Sequence, residues 1–295
     1  MAVIRKRARP TLTAVEMDVG DTLEFTLAGG EVRRMALLET HAAVLRSDLP
    51  EPGVEKPGCK TDYEFTCRVE VEGEEHRLWR EASTQRSFYE PWEIGGLRVW
   101  FDAVDAIFEF LTETHGACRP RKAARFAVQD ASLAICPEPV YPWCPLPPGG
   151  LNIADCYNGE DCWLGAYGGT SAHGGLDINH PAGTPIFAPF DLDDHYLFDS
   201  VHDGAGNNRW RGTRRWEDGS AWTIQVHHVI RILVPKRTPV KAGTQMARGA
   251  GVAVGSHEHS HFVFAVTEPG ERESILLDPW ILFRQMYLDQ HGRGD

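Results

Sequence analysis

His259-Ser-His-Phe-Val-Phe-Ala-Val266 puts a histidine at 259 and 261 and an apolar side chain at 262, 264 and 266. A period of two belongs to a strand, so both imidazoles share one face while Phe262, Phe264 and Val266 point the other way into a core. Read from two residues earlier, His257-Glu-His-Ser-His261 also satisfies a His-Glu-x-x-His pattern, which binds metal only on a helix. The flanking Gly251-Val-Ala-Val-Gly-Ser256 and Phe-Val-Phe-Ala-Val are β-branched and aromatic, which selects the strand.

The same alternation governs the first half. In Tyr63-Glu-Phe-Thr-Cys-Arg-Val-Glu-Val71 every odd position is apolar or aromatic, and Glu72-Gly73 reads as the hairpin turn after it. Leu23, Phe25 and Leu27 repeat it up to Gly29-Gly30 and are answered by Val32 to Leu38, as are Leu97, Val99 and Phe101. A helix is expected where Asp102 can cap a run with Val104, Ile107, Phe108 and Leu111 at helical spacing. Between 136 and 150 lie six of the nineteen prolines, a composition that supplies neither ladder donors nor a continuous helix. The expected order is therefore a β-rich domain over 1–135, a Pro-rich linker over 136–148 and a second β domain over 149–295. The fold class is mainly β, an antiparallel β-sandwich or barrel-like domain followed by an antiparallel β-sheet domain. The second ends in a short helix, with Asp278 as cap, Pro279 in the first turn and Trp280 to Tyr287 supplying the apolar face.

A formal charge of −12 argues against nonspecific attraction to nucleic acid or anionic lipid. No apolar run reaches the roughly 18 residues of a membrane span, and the basic start is followed by Ala-Arg-Pro-Thr rather than an apolar signal core. Seven cysteines include the close pairs Cys59/Cys67, Cys136/Cys144 and Cys156/Cys162, which can close small disulfide loops in an oxidising compartment or remain buried thiols. Nothing in the sequence sets the oligomeric state.

Nine of the thirteen histidines fall between His173 and His261. In Ala172-His-Gly-Gly-Leu-Asp-Ile178, His173 and Asp177 would share a strand face, with Gly175 leaving room for an ion. Two imidazoles on one strand beside a His/Asp pair on another supply three zinc ligands and one further histidine, the set of a catalytic site with an open position.

His173-Gly-Gly-Leu-Asp-Ile178, Gly183-Thr-Pro-Ile-Phe-Ala-Pro189, His228-Val-Ile-Arg-Ile-Leu-Val234 with Val240-Lys-Ala-Gly243, and His259-Ser-His-Phe262 together resemble the lysostaphin-type zinc endopeptidases, which cut bacterial cell-wall peptides. The resemblance spans 149–285 and none of the first half. It implies one zinc per chain held by His173, Asp177 and His261, with His228 and His259 acting on water and the transition state. It also implies a peptidoglycan peptide as substrate and an extracytoplasmic place of action, in the periplasm, cell wall or medium. The neighbouring His227 competes with His228, since strand alternation lets only one of them face the site. Between Pro189 and His228 the chain is long, polar and irregular, with Asn207 to Trp216 where the family has a tight strand pair. A Gly-rich loop from Gly149 to Gly175, with Tyr157, Trp163 and Tyr167, is expected to rim a groove. The alternatives are a noncatalytic cell-wall-binding or scaffold module on the same fold, or a different metal-dependent hydrolase.

Overall fold

The computed structural model describes residues 1–48, 60–146, 151, 162–167, 170–198, 206, 208–254 and 257–291. It is mainly β and divides into two compact units, Met1–Pro137 with Leu164–Gly174, and Glu138–Trp163 with Gly175–Asp295.

In the first unit the alternating stretch forms the strand Thr61–Val71, with Tyr63, Phe65, Cys67, Val69 and Val71 all buried. Glu72 and Gly73 take φ of 53° and 87°, the mirror-type turn that matches strand twist, and Glu74–Ala82 returns in register with Val71 opposite Glu74. These strands belong to a five-stranded sheet; a four-stranded sheet carries Leu97–Val104 and Ala124–Asp130. Phe65 of one meets Phe101 of the other edge to face at 5.4 Å. Among the described residues both sheets run as open paths from edge to edge.

The expected helix at Asp102 is not formed. The strand runs on to Val104, and a 3-10 turn over Asp105–Glu109 buries Ile107 and Phe108. Asp102 is buried and accepts the Arg125 Nε hydrogen at 2.6 Å, so its carboxylate serves a buried ion pair and not a helix end. Removing one partner would leave an uncompensated buried charge, which holds both residues in their strands.

The second unit is built on the strand His257–Thr267. Its sheet runs Leu176–Asn179, His257–Thr267, Ala221–His227, Arg209–Arg215, Asp194–Phe198 in spatial order, each pair antiparallel. Asn207 lies outside the described residues, but the expected irregular stretch beyond it is a regular strand: Trp210 is fully buried and Arg209–Arg215 pairs on both sides. Behind the sheet Trp222, Ile224, Val226, Phe262, Phe264 and Val266 form the core. The Pro-rich stretch joins it. Trp143 stacks on Phe262 at 5.0 Å and meets Phe283 edge on, while Glu138 pairs with Arg214 at 2.7 Å. The helix Trp280–His291 begins as expected, its Trp280 amide donating to Asp278 Oδ1 at 2.8 Å.

Cys67, Cys118 and Cys144 are buried free thiols, so neither Cys59/Cys67 nor Cys136/Cys144 is bridged; Cys59 and Cys156 lie outside the described residues. Burial pushes the Cys144 thiol up to about 12, keeping it protonated and unreactive. Among the described residues no helix is long and apolar enough to cross a membrane.

Candidate metal centre

The register of the central sheet assembles most of the site. Asp177 lies directly across from His261 and Asn179 across from His259, so one sheet face presents all four. Asp177 bridges the two histidines: Oδ1 is 2.8 Å from His261 Nδ1 and Oδ2 is 3.5 Å from His259 Nε2. Ser260 and Phe262 point to the opposite, buried face, as a strand requires.

His173 and Asp177 do not share one strand, contrary to the simple spacing argument. Ser171–His173 and Leu176–Asn179 are separate strands broken at Gly174-Gly175. The convergence of the two side chains is thus set by a local bend of a few residues. Nor does Gly175 leave space for an ion: a Cβ there would lie 2.5 Å from His261 Nε2 and 2.7 Å from the Phe262 carbonyl oxygen. The room is taken by the His261 ring, which can lie there only against a glycine. One ligand atom each from His173, Asp177 and His261 falls within 4.8 Å of the others, and all three residues are buried.

Two more imidazoles border this cluster. The His227 ring is 4.7 Å from that of His261, and the His228 ring is 4.8 Å from that of His259. Alternation does not choose between them, because the chain leaves the strand at His228 with φ of 61°, a left-handed backbone that turns its side chain back toward the site. His227 Nε2 hydrogen-bonds the Gln225 carboxamide. His228 Nδ1 is 2.6 Å from the Gly206 carbonyl oxygen, an acceptor only. The neutral ring must therefore donate from Nδ1 and keep its lone pair on Nε2.

The helical alternative has no support here, since 257–267 is strand throughout. Glu258 faces away, with Oε2 accepting the Ala182 amide at 2.7 Å. His195 is a fully buried core histidine with Nδ1 3.1 Å from the Thr238 carbonyl oxygen, and it lies outside the cluster. Of the expected groove rim, Trp163 is buried and Tyr157 lies outside the described residues. Asn179 escaped the sequence reading, although its position two after Asp177 places it on the same face by the period of two.

Two imidazoles and one carboxylate, already gathered within 4.8 Å, form a mixed nitrogen and oxygen donor set. Such a set suits zinc, which takes four ligands near 2.0–2.2 Å, better than the all-oxygen shells of calcium or magnesium.

No protein-family model matches the chain, and no curated protein does. Among solved structures it is similar to the catalytic domain of the antimicrobial peptidase lysostaphin from Staphylococcus simulans, with 20% identity over 49% of this chain and 90% of that chain and a TM-score of 0.31. A zinc containing peptidase from Vibrio cholerae is similar over 97% of this chain and 86% of that one, at 12% identity and a TM-score of 0.31. At these TM-scores the likeness adds nothing to the chemistry, which rests on the side chains described above. What the chain is similar to, in these comparisons, is the lysostaphin-type peptidase domain.

Proposed function

We propose that this chain is a zinc-dependent endopeptidase that hydrolyses peptide bonds of bacterial cell-wall peptidoglycan and acts outside the cytoplasm. The observation that carries the reading is the buried His173, Asp177 and His261 cluster with the rings of His228 and His259 beside it. A noncatalytic module gains nothing from keeping a buried ligand set together with two further imidazoles. In this reading His173, Asp177 and His261 hold one metal ion per chain. When bound, zinc supplies the Lewis acidity that makes water a nucleophile near neutral pH.

His228 and His259 then handle the protons. With Nδ1 donating to Gly206 O, His228 presents Nε2 as the base that takes the proton of the attacking water. As an imidazolium, either ring steadies the negative charge that develops on the scissile carbonyl oxygen and returns a proton to the leaving amine. Such proton transfer contributes about 10² to 10⁴ in rate. Asp177, contacting both His261 and His259, fixes their ring planes.

The test is elemental analysis of chelator-free protein, then digestion of purified peptidoglycan and identification of the new amino termini. About one zinc per chain and new peptide termini are expected. A preparation with no transition metal after zinc supplementation, or a loaded protein that releases no termini, would refute the proposal.

A further inference from the structure

Resting on the peptidase reading, we infer that the metal-site face of the sheet continues into a subsite for a carboxylate of the substrate peptide, built by Arg209 and Arg211 with Phe198 and Tyr196. The register places it. Asp177 is opposite His261; Val226 is opposite Phe262, which brings His227 beside His261; Arg209 is opposite His227; and Phe198 is opposite Arg209. The adjacent row runs Val263, Gln225, Arg211, Tyr196 in the same way. Along each of these strands the neighbouring positions, Trp210, Val226 and Phe262, are buried on the opposite side, so both rows lie on the open face.

What these rows present is unusual for a chain of net charge −12. Arg209 and Arg211 are exposed, and neither has a carboxylate partner among the described residues. Their strand neighbours differ: Arg214 pairs with Glu138 at 2.7 Å and Arg215 with Asp194 at 3.1 Å. The Arg209 guanidinium lies over the Phe198 ring at 4.9 Å, and Arg237 covers Tyr196 at 5.2 Å. Phe198 and Tyr196 are 45% and 43% exposed, so both rings are accessible to a ligand on this face. A guanidinium over an aromatic ring gains a cation–π contact without using its N–H donors, which can take a carboxylate in two parallel hydrogen bonds.

Charge and reach define the occupant. The overall negative charge repels a polyanion, whereas one or two carboxylates meet this local pair of cations at short range. Neighbouring strands are about 4.8 Å apart, so Arg209 stands roughly 10 Å from His261, which an extended peptide spans in about three residues at 3.3 Å each. The substrate is therefore an extended peptide with an acidic side chain or terminal carboxylate about three residues from the scissile bond.

Fluorophore-labelled glycine and alanine peptides, carrying Glu, Gln or Lys three residues to one side or the other of the central bond, test this on the zinc-loaded full chain. Cleavage gives kcat/KM ratios, and anisotropy gives binding independently of turnover. The wild type should favour Glu over Gln on one side by about five- to tenfold, with the preference shrinking at high salt. Arg209→Gln with Arg211→Gln should bring the ratio to about one, and Arg209→Glu with Arg211→Glu should invert it toward Lys, an outcome misfolding cannot produce. Equal use of all three peptides by the wild type, or an unchanged ratio in the double variants, overturns the subsite and leaves the peptidase reading standing. Glu-selective binding that inverts in the Glu variant, without any cleavage, supports the subsite and counts against the peptidase reading; neither binding nor cleavage overturns both.

Discussion

Asp177 contacts the two histidines of the central strand unequally, and the inequality separates their roles. Its 2.8 Å contact runs to His261 Nδ1, while His259 Nε2 stands 3.5 Å away and has the His228 ring 4.8 Å beyond it. Ligands and proton carriers should accordingly part on mutation. His261→Ala and Asp177→Ala are expected to empty the metal site, whereas His259→Ala and His228→Ala should retain zinc and lose about two orders of magnitude in turnover. His227→Ala should cost less than His228→Ala, because the His227 ring is engaged by Gln225. Zinc content and kcat measured on one set of variants check this; metal loss in His259→Ala as complete as in His261→Ala would refute the division. The shared face of His259 and His261 was legible in the sequence, because a period of two puts both on one side of the strand. The place of His228 was not, since a single residue at φ of 61° ends the periodicity on which the reading depended.

At the scale of the element, the identity of 257–267 as strand or helix decides what Glu258 does. In the strand it faces away from the metal cluster and accepts the Ala182 amide at 2.7 Å, a structural contact at the turn after Asn179. Glu258→Gln keeps an acceptor at that position and should leave turnover within about twofold and zinc unchanged, at a stability cost near 1 kcal/mol. Asp177→Asn, by contrast, should lose most of the metal. An inactive Glu258→Gln beside an active Asp177→Asn would restore the helical alternative. The first half shows the opposite case, in which periodicity misled. Val104, Ile107, Phe108 and Leu111 are buried as a helix would bury them, yet the segment is strand followed by a 3-10 turn. The buried Asp102 and Arg125 pair, 23 residues apart, outweighs the local propensity that Asp102 has for capping.

For the whole molecule, the second β domain expected over 149–295 can be set against a segment that begins at 138, where the second unit starts. Trp143 is fully buried, stacked on Phe262 and edge-on to Phe283. Leaving out a buried Trp of this kind costs about 3–5 kcal/mol, a large share of a domain's total stability. A 138–295 fragment should melt higher and more cooperatively than one beginning at 149; equal melting temperatures would show that the Trp143 packing contributes little. Cys144 provides an internal probe, since its buried thiol should resist alkylation in the longer fragment until unfolding.

By itself the sequence determined the β class, the strand at 259–266, the hairpin at Glu72-Gly73 and the cap at Asp278, all of which depend on side-chain period or on chemistry local to a few residues. Tertiary structure alone decided that Gly175 seats the His261 ring, that His227 and His228 both reach the cluster, and that Arg209 and Phe198 continue the metal-site face. These depend on register between strands far apart in the chain and on one left-handed residue. Period along a strand shows which face a side chain takes, but only pairing shows what lies beside it.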